Sequence, residues 1–410
     1  VNILLATYWP LPHLGGVWPY MKQIKENLER KGHSVDIMGN GPDIPKYHIL
    51  YENREILKET LLPLLHAKLN PYTAPLLHVN DWIRTVETDR YCMELAAAYF
   101  GLGKYDVIHT QDVISTRALK RVKPASTPLV ANIHGSLARE VQLAVAKDAG
   151  EAYRESDMWK YYESLEHWGA LSSDVTLTST QWMKRILVHD FAIPEGHIQT
   201  FQYGLDAEKF WNICREGTPI RPGAGKKVII CPSRLVYIKG IAYLIEALGK
   251  LRHRTDWECW IVGDGHLRHE LEQQAMALGI SNDVKFLGHR TDVPALLQLS
   301  DIFAHPSVQD NQPFSVMEAQ LCGKPSVVSD AGGLPEMVEH GVTGFVSRVG
   351  DTGTLAFHLE KLLENDRLRR KMGAAAASWG ARHWSMDLMM ERLLNVYEQA
   401  ILNKKREGYA

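Results

Sequence analysis

Apolar runs of strand length alternate with stretches of helical periodicity along almost the whole chain. That alternation leaves few architectures open, because a strand that is apolar on both faces must be covered on both. The first half carries such runs at NILLAT, HSVDIM, YDVIHT, PLVANIH and VTLTST, and the second at KVIICPS, WECWIVGDG, VKFLG, IFAHPS and KPSVVSDAGG. Between the first two, Val17, Met21, Ile24 and Leu28 fall on one helical face, and Lys31-Gly32 ends that helix. Strand, helix, strand repeated in this way predicts α/β units around parallel sheets. A chain of 410 residues exceeds one ordinary core, so two doubly wound domains with a cleft between them are expected.

Around residues 211 to 225 the pattern breaks into Gly, Pro and charge, and this is the linker candidate. The expected division is therefore 1–210, 211–385, and a last helical segment, 386–410, packing back on the first domain. Residues 41 to 104 contain ILKETLLPLLHAKL and RYCMELAAAYF, read as extra helices between strands. Their leucines serve either as core, the plainer assignment, or as a face lining an acceptor pocket or resting on a membrane.

A formal net charge of -2 offers no global basic field, so a nucleic-acid partner is not expected and any anion site must be local. The five cysteines are scattered and never spaced Cys-x-x-Cys, which argues against a disulfide framework or zinc site and fits a reducing cytoplasm. VNILLATYWP reads as a buried strand rather than a signal peptide. No apolar run approaches the roughly 18 residues that span a bilayer. Membrane contact, if any, is peripheral, at the inner face, and no pattern sets an oligomeric state.

In open parallel sheets ligands bind beyond the carboxyl ends of the strands. The first such loop carries Gly15-Gly16 ahead of a helix, a close-approach point for an anion that a tight turn explains equally well. The spacing is not Gly-x-Gly-x-x-Gly and no acid closes the second strand, which counts against a dinucleotide-binding dehydrogenase. After the first strand of the second half, CPSRLVYIKG presents Arg234 and Lys239. A forked guanidinium and a mobile ammonium suit a diphosphate, though two solvated surface cations are the plain alternative. In HPSVQDNQPFSVMEAQLCG, Pro313 stands near the first turn of a helix, so the amides of Phe314 and Ser315 point outward. Asp310 hangs on the loop above, and Glu318 is held on the helix eight positions later. Amides for a phosphate and carboxylates for hydroxyls describe a sugar nucleotide.

The segments SRLVYIKG, VGDG, VKFLG, HPSVQDNQPFSVMEAQLCGKPSVVSDAGGLPEMV and GVTGFV, with PLPHLGGVWPYM, RKGHSV, YDVIHTQD and NIHG in the first half, resemble the retaining GT-B glycosyltransferases of family GT4. The resemblance implies two Rossmann-like domains facing a central cleft, the first binding the acceptor and the second the nucleotide sugar. Position by position, it implies that Glu318 holds the donor ribose and that Asp310 lies near the donor sugar. Arg234 and Lys239 would meet the diphosphate, Gly16 would let the first domain approach it, and His134 would stand near the reacting sugar. GHRTDV, with Arg290, is expected near the base. Two departures stand out. Asp310-Asn311-Gln312-Pro313 replaces the usual Glu-Gly-Phe, and Tyr203 stands where Asn is commoner before a Gly.

The implied activity is transfer of a hexosyl or N-acetylhexosaminyl group from a UDP- or GDP-linked sugar to the hydroxyl of a glycan, glycolipid or small glycoside. No Asp-x-Asp pair suited to Mg²⁺ occurs near these motifs, so neither a metal nor a cofactor is expected. The alternatives are a sugar-nucleotide epimerase, a phosphorylase, for which no pyridoxal-phosphate lysine signature is seen, and a non-catalytic carbohydrate-binding homologue.

Overall fold

The computed structural model describes residues 1–12, 15–42, 45–145 and 150–407; His13 and Leu14 of the first turn lie outside them. Two compact units emerge, one of residues 1–179, 183–201 and 390–410, the other of residues 180–182 and 202–389.

The first unit is built on an eight-stranded sheet. Its strands are β1 (Asn2–Pro10), β2 (Ser34–Asn40), β3 (Lys46–Leu50), β4 (Arg54–Leu57), β5 (Val107–Thr110), β6 (Leu129–Asn132), β7 (Val175–Thr178) and β8 (Ile198–Thr200). They lie in the order β4-β3-β2-β1-β5-β6-β7-β8. All pairings are parallel except β2 with β3 and β3 with β4. The helix Val17–Arg30 buries Met21, Ile24 and Leu28, as its periodicity predicts. Residues 41 to 104 need correction, because a hairpin, β3 and β4, precedes the expected helices. Only Tyr47 and Ile49 of β3 are buried, two inward positions that do not stand out as a strand before a helical run. The helices Lys58–Lys68 and Asp81–Phe100 follow. Cys92, Met93, Ala96, Ala97 and Phe100 form the face of the second that packs with Leu4, Ala6, Ile108 and Leu129 of the sheet. Asn80 starts that helix by accepting from the N–H groups of Trp82 and Ile83. From the far end of the chain, Tyr397 places its hydroxyl 2.7 Å from His109 Nδ1.

The second unit has six strands, all parallel: β9 (Lys227–Pro232), β10 (Trp257–Val262), β11 (Val284–Gly288), β12 (Ile302–His305), β13 (Ser326–Ser329) and β14 (Gly344–Ser347). Their order is β11-β10-β9-β12-β13-β14, the doubly wound arrangement in which the winding reverses between β9 and β12. Ile229, Cys231, Ile261, Ala304 and Val327 of the strands pack with Leu244, Ile245 and Leu248 of the helix Ile241–Lys250. The stretch read as a linker begins instead inside a helix, Ala207–Glu216, which Asp206 caps and which buries Phe210 and Cys214. The passage into the second unit lies earlier, at Gln202. Among the described residues no helix is long and apolar enough to cross a membrane.

Candidate active site

In the second unit, chain reversal between β9 and β12 opens a gap at the carboxyl edge of the sheet. Both loops that leave it carry expected site residues. The loop after β9 turns through Tyr237–Lys239 into Gly240, whose φ is 64°. A Cβ on Gly240 would stand 2.0 Å from the Pro306 carbonyl oxygen, so only glycine lets the β9 loop lie against the end of β12. Val308 N–H then donates to the Ile238 carbonyl at 2.8 Å and ties the two loops together. From the β13 side, Gly333 N–H donates to the Asp310 carbonyl at 3.0 Å. Gly332 passes so close that a Cβ would meet that oxygen at 1.7 Å.

This scaffold brings Lys239 and Asp310 together, with Nζ 2.6 Å from Oδ2. His305 Nε2 lies 2.7 Å and Ser307 Oγ 3.2 Å from the same oxygen, and Asn311 N–H donates to Oδ1 at 3.2 Å. Burial by itself works against the Asp310 carboxylate, but the Lys239 ammonium and the His305 hydrogen bond outweigh it and hold the acid well below the usual carboxylate range. Asp310 is thus a charged but weakly basic group. Sequence reading missed His305. Its signal, the His that closes the IFAHPS strand run, stands in the sequence, but its contact with Asp310 is set by the fold.

Arg234, in the same loop as Lys239, is exposed, and its guanidinium has no ion-pair partner among the described residues. Glu318 sits on the helix Phe314–Leu321, which starts behind Pro313 without a side-chain cap. The N–H groups of Phe314 and Ser315 therefore have no carbonyl one turn back inside the helix. The Glu318 carboxyl has neither hydrogen-bond nor ion-pair partner among the described residues, and burial pushes it up to about 7. The two departures from the family pattern meet each other. Tyr203 N–H donates to Gln312 Oε1 at 2.9 Å, and the Tyr203 ring stacks on Phe314 at 6.0 Å. Arg290 is placed differently. It follows β11, separated from β9 by β10, and its fork is engaged by Asp292 at 2.7 and 2.6 Å. The structure does not join it to Arg234, Lys239 and Asp310.

In the first unit, Gly15 and Gly16 follow β1, with Gly16 at the start of the helix Val17–Arg30 and no side-chain cap. His134 comes two residues after β6. Its Nε2 lies 3.0 Å from Gln111 Oε1 and its ring meets Tyr20 edge-on at 4.9 Å. Burial pushes His134 down to about 3, so it is neutral at physiological pH. Gln111 and Asp112, within the YDVIHTQD segment, had been given no role. Asp112 accepts from Thr7 Oγ1 and Tyr8 N–H, both at 2.8 Å, and from Ser115 N–H at 2.7 Å. It thereby pins the end of β1 to the start of the helix after β5. No cluster of three or more His, Cys, Asp or Glu groups able to hold a metal ion occurs among the described residues.

Residues 14–209 match the family model described as Glycosyltransferase Family 4, and residues 219–379 that described as Glycosyl transferases group 1. An uncharacterized glycosyltransferase of Methanocaldococcus jannaschii is 27% identical over 414 residues, covering 98% of this chain and 99% of that one. The MMP alpha-(1->4)-mannosyltransferase of Mycolicibacterium hassiacum is 25% identical over 421 residues, covering 98% of each. Among solved structures, Anabaena HepE in complex with UDP-glucose shares the fold with a TM-score of 0.67 at 21% identity, over 97% of this chain and 99% of that chain. With two parallel-sheet units, the GT4 motifs on the strand ends and these matches, the chain belongs to the GT4 glycosyltransferases of GT-B fold.

Proposed function

We propose that this glycosyltransferase moves a hexosyl or N-acetylhexosaminyl group from a UDP- or GDP-linked sugar to an acceptor hydroxyl, with retention and without a metal. The observation that carries the reading is the placement, at the reversal between β9 and β12, of an exposed Arg234, a Lys239–Asp310 pair and a Glu318 carboxyl with no partner among the described residues. Anionic and hydroxyl-rich parts of one donor match those groups. Complexes of HepE with UDP-glucose support a nucleotide sugar in such a fold. The unpaired cysteines support a reducing compartment, the cytoplasm, where a peripheral contact with the inner membrane face is compatible with the fold.

In the proposed step, the bond between the anomeric carbon and the diphosphate oxygen breaks and its electron pair stays with the diphosphate. Arg234 and the ammonium protons of Lys239 not used by Asp310 offset that charge, assisted by the Phe314 and Ser315 amides. The acceptor oxygen bonds to the anomeric carbon on the face that the leaving group vacates, and its proton passes to the departing diphosphate. Asp310 is a poor nucleophile for the alternative, a covalent intermediate, because three side-chain donors and one amide already occupy its oxygens. Its role is to stabilise positive charge on the sugar, and Oδ1, which takes only the Asn311 N–H, is left to accept from a sugar hydroxyl. Ionised Glu318 accepts from the ribose hydroxyls, and His134, neutral, hydrogen-bonds rather than titrates.

A thermal-shift panel of UDP-, GDP-, ADP- and TDP-sugars in EDTA tests the reading. One donor is expected to raise the melting temperature, and Glu318→Ala to abolish that rise. Retention of the full shift and full activity by Glu318→Ala overturns the ribose assignment. A shift and turnover that require Mg²⁺ overturn metal independence, and an epimerised sugar with no acceptor consumed favours the epimerase.

A further inference from the structure

One buried acid of the first unit takes no part in the proposed step. Glu166, on the helix Asp157–Leu171, is fully covered and makes no ion pair among the described residues. A carboxyl buried in this way costs stability, and burial pushes this one up to about 7. What it holds accounts for its place. Oε1 accepts from the Ala138 N–H at 3.1 Å, and the Ser136 hydroxyl and the Leu137 N–H also favour its charge. Ser136 to Ala138 form the passage from His134-Gly135 into the helix Leu137–Val145, and Ser136 Oγ accepts from the Arg139 N–H at 3.3 Å. First-turn N–H groups have no carbonyl one turn back. Here Glu166 supplies the acceptor, from a different helix.

The helix that carries Glu166 also seats the other partner of His134. One turn further on, Gly169 faces the start of the helix Val113–Lys120, where a Cβ would stand 2.6 Å from Val113 Cβ and 2.7 Å from the Val113 carbonyl oxygen. Only glycine lets the two helices approach so closely. Val113 directly follows Gln111 and Asp112. Gln111 gives its amide N–H to the His109 carbonyl at 3.3 Å, so the oxygen that lies 3.0 Å from His134 Nε2 is an acceptor, and Nε2 carries the proton. The contacts close into a ring. It runs from Glu166 to the His134 loop, from His134 to Gln111, from Val113 to Gly169, and back along one helical turn.

We infer that Glu166 is a positioning residue, whose Oε1 fixes the loop that holds His134 against Gln111 in one tautomer, with the proton on Nε2. Only the catalytic consequence rests on the transferase reading. There, the ring of contacts aims the His134 ring at the reacting sugar, and a misplacement of about 1 Å costs about 100-fold in rate.

Heteronuclear NMR of isotopically labelled histidines in the full chain tests this near neutral pH, where His134 is uncharged; its signals are those missing from His134→Gln. The wild type is expected to show a protonated Nε2 and an unprotonated Nδ1. Glu166→Leu, similar in volume but without an acceptor, should draw the two signals together as the tautomers mix. Glu166→Gln keeps the carbonyl oxygen and should restore the wild-type spectrum. Ser136→Ala cuts the same junction more gently and should move the signals in the same direction, so the test survives if Glu166→Leu does not fold. A wild-type His134 with its proton on Nδ1, or wild-type signals in Ser136→Ala and in folded Glu166→Leu, overturns the inference whatever happens to the melting temperature, which is all that a purely structural role would lower. Turnover reads the catalytic consequence. With UDP-glucose, UDP-N-acetylglucosamine and GDP-mannose, and water as acceptor, kcat for nucleoside diphosphate release should fall about 100-fold in Glu166→Leu and about three- to tenfold in Ser136→Ala, with the donor KM and thermal shift unchanged. In a His134→Ala background neither change should lower kcat further, and additive losses overturn positioning through His134. The expected tautomer response in a protein that neither binds nor turns over any nucleotide sugar sinks the transferase reading and leaves the positioning role standing.

Discussion

The two units place polar groups at equivalent edges of similar sheets and arrive at opposite charge states. At the edge of the first, burial pushes His109 and His134 down to about 3, leaving two neutral rings. At the edge of the second, an acid buried to a similar degree stays ionised because Lys239 and His305 face it. Depth alone therefore does not decide charge; the partner does. Glu318 proves the point inside the second unit, since its carboxyl has no partner among the described residues and rises to about 7.

Removing a partner should therefore break the comparison most severely. Lys239→Met strands the Asp310 charge, and a loss of about 3–5 kcal/mol in folding stability is expected. The double variant Lys239→Met/Asp310→Asn should recover much of that loss in urea titrations; additive losses would show that the pair is not coupled. Acid sensitivity sharpens the same contrast. The Asp310 carboxyl is held below its ordinary 3.8, so its stabilisation is present above that pH and is lost as pH falls beneath it. Glu318 has the opposite sign. Its carboxyl is raised from 4.5 to about 7, so the native state becomes less stable as pH climbs through that interval. Glu318→Gln should match wild type near pH 4 and exceed it above pH 7 by at most about 3 kcal/mol in the ligand-free protein. Equal melting temperatures at pH 8 would refute the partnerless carboxyl. The smallest effect belongs to the first unit, where Tyr397→Phe removes one buried hydroxyl from His109. A loss of about 1 kcal/mol is expected, read by urea titration at neutral pH, and a loss several times larger would mean that His109 carries charge.

Much of this was legible in the residue pattern. The strand Lys227–Pro232 carries the unbroken apolar run Val228–Cys231, which signals burial on both faces without any knowledge of neighbours. The β3–β4 hairpin was not legible, because Lys46–Leu50 buries only two positions and its pairing with β2 is not local. Nor was the helical half of the supposed linker, where three glycines and two prolines that follow within nine residues masked the amphipathic pattern of the helix Ala207–Glu216. At the site, Asp310, Glu318, Arg234 and Lys239 could be named from spacing, since each follows a recognisable strand or opens a helix. His305 and the Tyr203–Gln312 contact could not, because the partners come together through packing.

Hydrophobic period and helix-start chemistry are properties of neighbouring residues, and so they dictated two α/β units and the list of candidate side chains before any folding was considered. Whether Asp310 is paired, Glu318 isolated, Arg290 engaged elsewhere or His134 neutral depends on what burial and chain crossings bring within a few ångströms. Those distances join residues as far apart as Lys239 and Asp310. Because electrostatic energy in a partly dry site depends on that separation and on the surrounding dielectric, only the folded chain set the charge of each group.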